Sequence, residues 1–337
     1  MLQTVHILLW LFTVSIQSIH AQSCTIGGIT RQNVEKTLGI ALLIGNSEYK
    51  SGMLKHPVKD VADIANVLNT IGFSVFPFRD LETKDHFDDV TFELKNCLEK
   101  SKNFVALFYF SGYGTYIEND RNNFLLPIFD MRIRDRSSIR RKGFNVGMLL
   151  DRLKFSNNKL NIVILDACRQ YPKNHLKSLG GMSFDKKKLY EKFIVIYPAE
   201  VEYGKHGKTV IPPKRGERNS LYVKYLIEEL KFASSKTNPK AQEARVTFDE
   251  VKNKVQRESR MKQKPSQDTT SRSTKNRFCW NKPCPSAFTT NSNKRGPKTP
   301  TDPTPETPGG ATTSGDGSGG GGIKSYRIRT PSRPIMH

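Results

Sequence analysis

Residues 160–168 read LNIVILDAC, the most hydrophobic strand-like run of the chain. An apolar run of this length, with no regular polar alternation, is typical of a strand that is covered on both faces of a sheet. Similar runs are LGIALLIGN (38–46), FSVFPF (73–78), NFVALFYF (103–110) and FIVIYPAE (193–200). We therefore predict that residues 160–167 form a buried strand that ends at Cys168 and that the other runs belong to the same sheet.

Helical patterns alternate with these strands. In residues 58–73 the apolar side chains recur at helical spacing, and the pattern stops at Gly72, a residue type that commonly ends helices. Further helical patterns occupy 86–100, 146–155, 220–232 and 247–259. This alternation predicts an α/β fold, a three-layer sandwich in which helices flank a mostly parallel central sheet. In such sheets the chemistry takes place beyond the carboxyl ends of the strands.

The composition indicates that part of the chain does not belong to this core. Only 36% of the 337 residues are hydrophobic, and residues 263–337 are rich in Ser, Thr, Pro, Gly and basic residues, which predicts a disordered basic tail. Two basic stretches, 131–143 and 173–192, are predicted to be long loops.

The net charge of +22 favours anionic surfaces, and a lysine-rich solvated surface with a basic tail is the simplest interpretation. Because no run interleaves basic and aromatic residues, specific nucleic-acid recognition is not predicted.

The N-terminal residues 1–21 have the pattern of a secretory signal peptide. The apolar stretch ILLWLFTVSI is followed by SIHA, with a small residue at the expected cleavage point, Ala21. We therefore expect a secreted protein or one of the secretory pathway, with residues 22–35 as a lead into the folded domain. The apolar stretch is short for a bilayer, so no membrane span is predicted. No Lys or Arg precedes it, and a buried N-terminal helix is the alternative.

Five cysteines, Cys24, Cys97, Cys168, Cys279 and Cys284, are too sparse for a disulfide scaffold or a four-ligand zinc site. If the chain is secreted, Cys279 and Cys284 are close enough in sequence to close a small disulfide loop. Cys97, on the predicted helix 86–100, is expected to be a small core residue. No acidic cluster indicates a calcium site, and we predict neither a metal nor a cofactor.

Among these cysteines, Cys168 follows a buried predicted strand and is flanked by Asp166 and Arg169. A thiol at such a strand end is a nucleophile if a base and an oxyanion hole face it, and otherwise a small core residue. Asp166 ends an apolar run, and a buried carboxylate needs a partner.

Several motifs resemble the caspase-like clan of cysteine peptidases, above all its paracaspases and bacterial caspase-like proteins. They are LLIGNSEY (42–49), LKHPVKDVADIANVLNTIGFSV (54–75), FYFSGYG (108–114) followed by NNFLLP (122–127), and LNIVILDACR (160–169). The resemblance covers about residues 36–231 in order and with compatible spacing. It implies a caspase-like domain with large-subunit and small-subunit parts, to which we assign residues 36–262.

The resemblance implies a cysteine endopeptidase site. Cys168 corresponds to the nucleophile, and the backbone N–H of Gly114 corresponds to an oxyanion donor. In the branches that cleave after Arg or Lys the substrate pocket is acidic, and this role falls on Asp60 and Asp166. The implied partner is therefore a peptide or protein substrate with a basic P1 residue.

A third pocket acid of the paracaspase pattern would fall on Glu202, or on Glu200 of the same segment. For Asp60 there is also a structural alternative, because an acid in the first turn of a helix is favoured by the helix dipole.

The sequence departs from the family at Tyr113. Caspase-like peptidases have a histidine, the general base, between the two glycines, whereas this chain reads SerGlyTyrGly. A phenol has an ordinary pKa of about 10 and an imidazole one of about 6.5. A neutral tyrosine therefore neither stabilises a thiolate by charge nor readily donates a proton near neutral pH.

Weak or absent peptidase activity is accordingly expected. One alternative is a pseudo-peptidase that binds peptides or regulates an active relative, as a homodimer or heterodimer formed through the sheet edge. A third interpretation, a non-enzymatic protein of anionic surfaces, depends on the net charge and tail alone.

Overall fold

The computed structural model describes residues 22–50, 52–100, 103–117, 122–128, 135–156, 158–168, 192–198, 218–235, 242–269 and 278–280. The predicted signal peptide, residues 173–191 of the predicted loop, Glu200, Glu202 and the tail beyond residue 280 lie outside these ranges.

The strands confirm the predicted sheet. In chain order they are β1 Cys24–Ile26, β2 Ile29–Arg31, β3 Gly39–Gly45, β4 Phe73–Arg79, β5 Val105–Ile117, β6 Asn122–Leu125, β7 Phe144–Asn145, β8 Leu160–Cys168, β9 Phe193–Tyr197 and β10 Ser266–Thr269. The central sheet has the order β10-β9-β8-β5-β3-β4. All neighbours along it are parallel except β10, which pairs antiparallel with β9. Beyond the end of β3, the far end of β5 pairs with β6.

The helices are α1 Pro57–Ile71, α2 Lys84–Leu98, α3 Arg136–Lys142, α4 Val146–Phe155, α5 Leu221–Ser234 and α6 Ala244–Glu258. Because strand residues alternate between faces, the sheet has two apolar faces. The face with Ile40, Leu42 and Ile44 packs against α2 and α4, and the opposite face packs against α1, α5 and α6. The predicted three-layer α/β sandwich is confirmed.

Close packing at Gly45 positions the start of α1. A Cβ at this residue would lie 2.5 Å from the carbonyl oxygen of Pro57, so only glycine allows β3 to end against the first turn of the helix. The helix ends at Gly72, whose φ of 105° and N–H bonds to Leu68 and Asn69 form the predicted glycine cap. The first turn of α1 therefore lies beside the end of β3.

The stretch 131–143 was predicted to be a loop, and for its described part this is wrong. Helix α3 occupies most of it, starting from a capping box in which the Asp135 carboxylate accepts the N–H of Ser138 at 2.7 Å and the Ser138 hydroxyl accepts the N–H of Asp135. Ile139 is fully buried, so the helix has an apolar anchor as well as a cap.

The folded domain extends past the predicted boundary at residue 262. Strand β10 adds an edge to the sheet, and Phe278 and Trp280 are buried against the α1, α5 and α6 face. The indole N–H of Trp280 donates to the Thr247 hydroxyl at 2.9 Å. Residues 266–269 and 278–280 therefore contribute to the folded domain beyond residue 262.

The N-terminal lead is ordered as well. Strands β1 and β2 form a small antiparallel hairpin, and Cys24 forms a disulfide with Cys97 of α2. Cys97 is buried, as predicted, but it is not merely a core residue, because the bond ties the lead to the domain across 73 residues of sequence. Cys279 is disulfide-bonded too.

Candidate active site

The strand register brings the predicted site residues to one edge of the sheet. Along that edge Gly45 of β3 pairs with Ser111 of β5, which pairs with Asp166 of β8. Two residues further on, Tyr113 and Cys168 are direct Cα partners. The structure describes the backbone of Cys168 but not its side chain. The two positions that the resemblance assigns to the base and the nucleophile thus lie side by side at the carboxyl ends of two parallel strands.

The hydroxyl of Tyr49 is inserted between β5 and β6. It accepts the backbone N–H of Tyr113 and donates to the carbonyl oxygen of Leu126, both at 2.9 Å. The Tyr113 carbonyl accepts the N–H of Leu126 directly at 3.0 Å. The two residues therefore form one direct bond and one bond through the Tyr49 hydroxyl, which fixes the backbone at the base position.

The two glycines of SerGlyTyrGly have different surroundings. A Cβ at Gly112 would lie 2.5 Å from the Tyr49 hydroxyl oxygen, so this glycine leaves space for that hydroxyl. The backbone groups of Tyr113 face Tyr49 and Leu126, and successive residues of a strand direct these groups to opposite sides. The N–H of Gly114 therefore faces β8 and its end at Cys168.

The ring of Tyr113 is half-buried beside the ring of Tyr49, with centroids 4.5 Å apart. It packs with a small apolar cluster that includes Leu54 and Ile128. The phenol of Tyr113 thus lies in a packed environment that accommodates an aromatic ring.

Asp60 and Asp166 lie together beneath this edge. Asp60 is fully buried in the first turn of α1, and Asp166 is 5% exposed near the end of β8. Ser220, the N-cap of α5, joins them: its N–H donates to Asp60 Oδ1 at 3.1 Å and its hydroxyl donates to Asp166 Oδ2 at 3.4 Å. The hydroxyl of Tyr109 also donates to Asp166 Oδ2, at 3.4 Å. Residues from four distant parts of the chain thus form one acidic cluster.

Burial sets the protonation of both acids. Desolvation raises the pKa of Asp60 to about 6, against the lowering effect of its bonds to Asn219 and Ser220. Desolvation, and then the nearby charge of Asp60, raise the pKa of Asp166 to about 7. Two carboxylates so disposed favour a cationic ligand, because a positive charge would satisfy both.

Two polar atoms of this region are buried without a hydrogen-bond partner in the described part of the chain: Oδ2 of Asp60 and the hydroxyl oxygen of Tyr222. Burial and the charge of Asp166 raise the pKa of Tyr222, which indicates that this hydroxyl is near the acid pair. Buried polar groups are normally paired. The Asp60 oxygen is therefore an acceptor that a donor from outside the described residues can fill.

The rim of the cluster is held by the segment before α5. Arg218 forms a bidentate ion pair with Asp63, at 2.6 and 2.9 Å, and the Asn219 amide donates to both Asp60 and Asp63. The Nδ1–H of His56, just before α1, donates to the Arg218 carbonyl at 3.1 Å. These contacts fasten the start of α5 to the first turns of α1.

The sequence model of the caspase domain, the Peptidase_C14 family, matches residues 38–276 of this chain. The match covers more than half of the chain and contains all of the strand ends described above. This chain belongs to the caspase-domain peptidase family. The predicted resemblance is thereby confirmed, and the family match also includes β10, beyond the predicted boundary.

The comparisons with individual proteins agree with this assignment. The caspase-domain chain is 30% identical over 137 residues to human mucosa-associated lymphoid tissue lymphoma translocation protein 1 and, equally, to its mouse homolog. Each match covers 39% of this chain and only 15% of the relative, so most of the relative's length has no counterpart here.

Among solved structures, caspase-1 from Spodoptera frugiperda superposes with a TM-score of 0.51 at 14% identity, over 74% of this chain and 93% of that one. The structure of pro-sf-caspase-1 gives 0.50 at 15%, over 70% and 93%. At these identities the likeness establishes the caspase fold alone.

The structure brings together Tyr113, Gly114 and the backbone of Cys168, and it pairs Asp60 with Asp166. Asp60 is an acid in the first turn of a helix, as the structural alternative has it, and it is also a buried member of the cluster. Its role as a pocket acid stays a prediction. Sequence reasoning missed Ser220, Tyr109 and Tyr49. Ser220 could have been found, because serine commonly caps helices such as the one predicted at 220–232. Its contacts to acids 54 and 160 residues away have no signal in the sequence.

Within the described ranges, no helix is long and apolar enough to cross a membrane. No group of three or more His, Cys, Asp or Glu side chains in those ranges is arranged to hold a metal ion.

Proposed function

We propose that this caspase-domain protein is a cysteine endopeptidase by descent, with Cys168 at the nucleophile position and an acidic S1 pocket for Arg or Lys. Its peptidase activity is weak or lost because Tyr113 occupies the position of the base. The proposal is supported chiefly by the buried Asp60 and Asp166 pair, which has an unpartnered carboxylate oxygen below the strand end that carries Cys168. Glu202 is proposed as a third pocket acid.

A charged P1 side chain suits this pocket electrostatically. Asp60 Oδ1 already accepts two hydrogen bonds, from Asn219 and Ser220, which hold the carboxylate in place and leave Oδ2 for a ligand. A cation there would offset the cost of burying both acids, which is the main cause of their raised pKa values, and the repulsion that Asp60 exerts on Asp166. A neutral P1 side chain would bury the charge pair without compensation.

The oxyanion role proposed for Gly114 is consistent with the direction of its N–H towards the end of β8. The nucleophile at Cys168 would need a proton acceptor, and the phenol of Tyr113 is a poor one near pH 7 because its ordinary pKa is about 10. Pocket and oxyanion donor would thus be retained while proton transfer is impaired.

A second function is favoured by the same substitution. A pseudo-peptidase would use the acidic pocket to bind basic peptides without cleaving them, or would regulate an active relative through the β10 edge of the sheet. Secretion is also proposed, on the basis of the signal pattern and consistent with the buried disulfide of Cys24.

The test is to measure peptide binding and turnover separately. Calorimetry with a peptide that ends in Arg at P1 should show binding to Cys168→Ala protein, and at least about tenfold weaker binding when Asp60→Asn is added, since one buried charge contact is lost. A matched peptide with norleucine at P1 controls for apolar contacts. Equal binding of both peptides, or binding unchanged by Asp60→Asn, would exclude the pocket. Cys168-dependent turnover by the unmutated protein would exclude the pseudo-peptidase alternative.

A further inference from the structure

Gln22, the residue that follows the predicted cleavage point, is hydrogen-bonded to the carboxylate of Glu35. The backbone N–H of Gln22 donates to Oε2 of Glu35 at 3.1 Å. The carbonyl oxygen of Gln22 accepts the N–H of Val34 at 3.1 Å, so the residue is held from both sides. The other carboxylate oxygen of Glu35, Oε1, is buried and has no hydrogen-bond partner among the residues that the structure describes.

The peptide N–H of Gln22 supplies only one of the hydrogen bonds that the Glu35 carboxylate can accept. An amide carries a single hydrogen and no charge, whereas Glu35 presents two oxygens and a negative charge. An α-ammonium carries three hydrogens and a positive charge, and charge-assisted bonds of this kind are about twice as strong as neutral ones. Hydrolysis of the bond between Ala21 and Gln22 changes the amide nitrogen of Gln22 into an α-ammonium nitrogen at the same place.

We propose that Glu35 is a built-in receptor for the α-ammonium of Gln22, which is created when the signal peptide is removed after Ala21. The proposal depends on the predicted cleavage and not on the proposed peptidase function. The ion pair completes a set of anchors for the mature N-terminus. Lys100 donates to the carbonyl of Ser23, and Cys24 is bonded to Cys97, so three consecutive residues are fixed to the domain.

The site has a chemical consequence, because N-terminal glutamine can cyclise. The neutral α-amine attacks its own side-chain carbonyl carbon, a new N–Cδ bond forms, the Cδ–Nε2 bond breaks, and ammonia leaves with the amine proton. The product, pyroglutamate, has an uncharged amide nitrogen. An ammonium paired with Glu35 has no free lone pair, so Glu35 protects Gln22 from this reaction.

The experiment uses the full-length secreted chain and two variants, Glu35→Gln and the control Glu82→Gln. Glu82 is an exposed acid after β4, at the edge of the sheet opposite to Glu35. Mass spectrometry defines the N-terminus and follows the loss of ammonia with time, and the Cα chemical shift of isotope-labelled Gln22 gives the pKa of its α-ammonium.

We expect an N-terminus at Gln22 and an α-ammonium pKa above the ordinary range of about 7.7 to 8.0, because the Glu35 charge favours the protonated form. In Glu35→Gln the pKa should return to that range and cyclisation should become several-fold faster, since each pKa unit changes the neutral fraction about tenfold. Glu82→Gln should match the unmutated chain.

Three outcomes would overturn the proposal. They are a mature N-terminus at another residue, complete conversion of the unmutated chain to pyroglutamate on secretion, and an α-ammonium pKa that is the same with and without the Glu35 carboxylate. None of them bears on the acidic pocket, so the two proposals fail independently.

Discussion

Tyr113 and Cys168 are direct Cα partners at the ends of the parallel strands β5 and β8. The register thus pairs the two residues that the resemblance assigns to the base and to the nucleophile, and we propose that the phenol of Tyr113 stands where the family has its histidine. The hydroxyl of Tyr49 holds that position by accepting the N–H of Tyr113. The proposed substitution would change the chemistry available at this edge while the strand geometry is kept.

Removing the Tyr49 hydroxyl should destabilise the protein. In Tyr49→Phe the N–H of Tyr113 loses its acceptor and the carbonyl of Leu126 loses a donor, so we expect a loss of about 1 to 3 kcal/mol in the free energy of unfolding. Urea denaturation measures it.

The matched control is Tyr222→Phe. This hydroxyl is also buried but has no hydrogen-bond partner in the described part of the chain, so its removal should be neutral or stabilising. Equal destabilisation by both changes would show that the inserted hydroxyl contributes nothing specific.

The acid pair should make stability fall as pH rises. Burial raises the folded-state pKa of Asp60 to about 6 and that of Asp166 to about 7, from an ordinary value of 3.8. Between pH 4 and pH 7 the folded chain therefore holds more protons than the unfolded chain, and the free energy of unfolding decreases with increasing pH through this range.

Asp60→Asn should flatten this dependence, because it removes one raised group and the charge that helps to raise the pKa of Asp166. Denaturation curves at a series of pH values between 4 and 8 measure the slope. Asp89→Asn, at an exposed position of α2, is the control and should keep the unmutated slope. An unfolding free energy that increases with pH, with a slope that Asp60→Asn does not change, would contradict the raised pKa values of Asp60 and Asp166.

The disulfide of the N-terminal hairpin should contribute about 2 to 4 kcal/mol to stability, because it closes a long loop in the unfolded chain. The double variant Cys24→Ala with Cys97→Ala should lose that amount in urea denaturation. Each single variant should be no more stable than the double variant, since the bond is lost in all three. A double variant as stable as the unmutated protein would mean that the bond does not form.

Ser220→Ala should weaken the acidic cluster from one side. The change removes the hydroxyl that bonds Asp166 and the cap that accepts the N–H of Val223, and we expect a loss of about 1 to 2 kcal/mol in unfolding free energy. It should also raise the pKa of Asp166 further, because that bond lowers it.

The control for Ser220→Ala lies at the other end of the same helix. The hydroxyl of Ser234 donates only to backbone carbonyls of α5, so Ser234→Ala should change stability by less than about 0.5 kcal/mol. A larger effect of Ser234→Ala than of Ser220→Ala would contradict the role given to Ser220.

The sequence was sufficient to predict the sheet and most of its helices, because buried parallel strands and amphipathic helices have distinct hydrophobic periods. It was insufficient for α3, because the basic composition of that segment is typical of a loop although a capping box starts a helix there. It was also insufficient for β10, a short polar edge strand whose pairing with β9 depends on residues about 70 positions away in sequence. The bond between Cys24 and Cys97 was missed for the same reason, since sequence spacing does not give connectivity.

For the site, the resemblance indicated Tyr113, Cys168, Asp60 and Asp166. The strand register groups the backbones of Tyr113, Asp166 and Cys168, and Ser220 links Asp60 to Asp166. The contacts of Tyr49 and Ser220 could not be predicted, because each depends on where a distant segment is placed in three dimensions.

The most direct test of the account is the kcat/KM for an Arg-P1 fluorogenic peptide, measured for the unmutated protein and for Tyr113→His, each with and without Cys168→Ala. The account predicts little or no turnover by the unmutated protein and at least about 10²-fold more by Tyr113→His, the usual scale of general acid–base catalysis, all of it abolished by Cys168→Ala. Efficient Cys168-dependent cleavage by the unmutated protein, or no gain in a folded Tyr113→His protein, would contradict it.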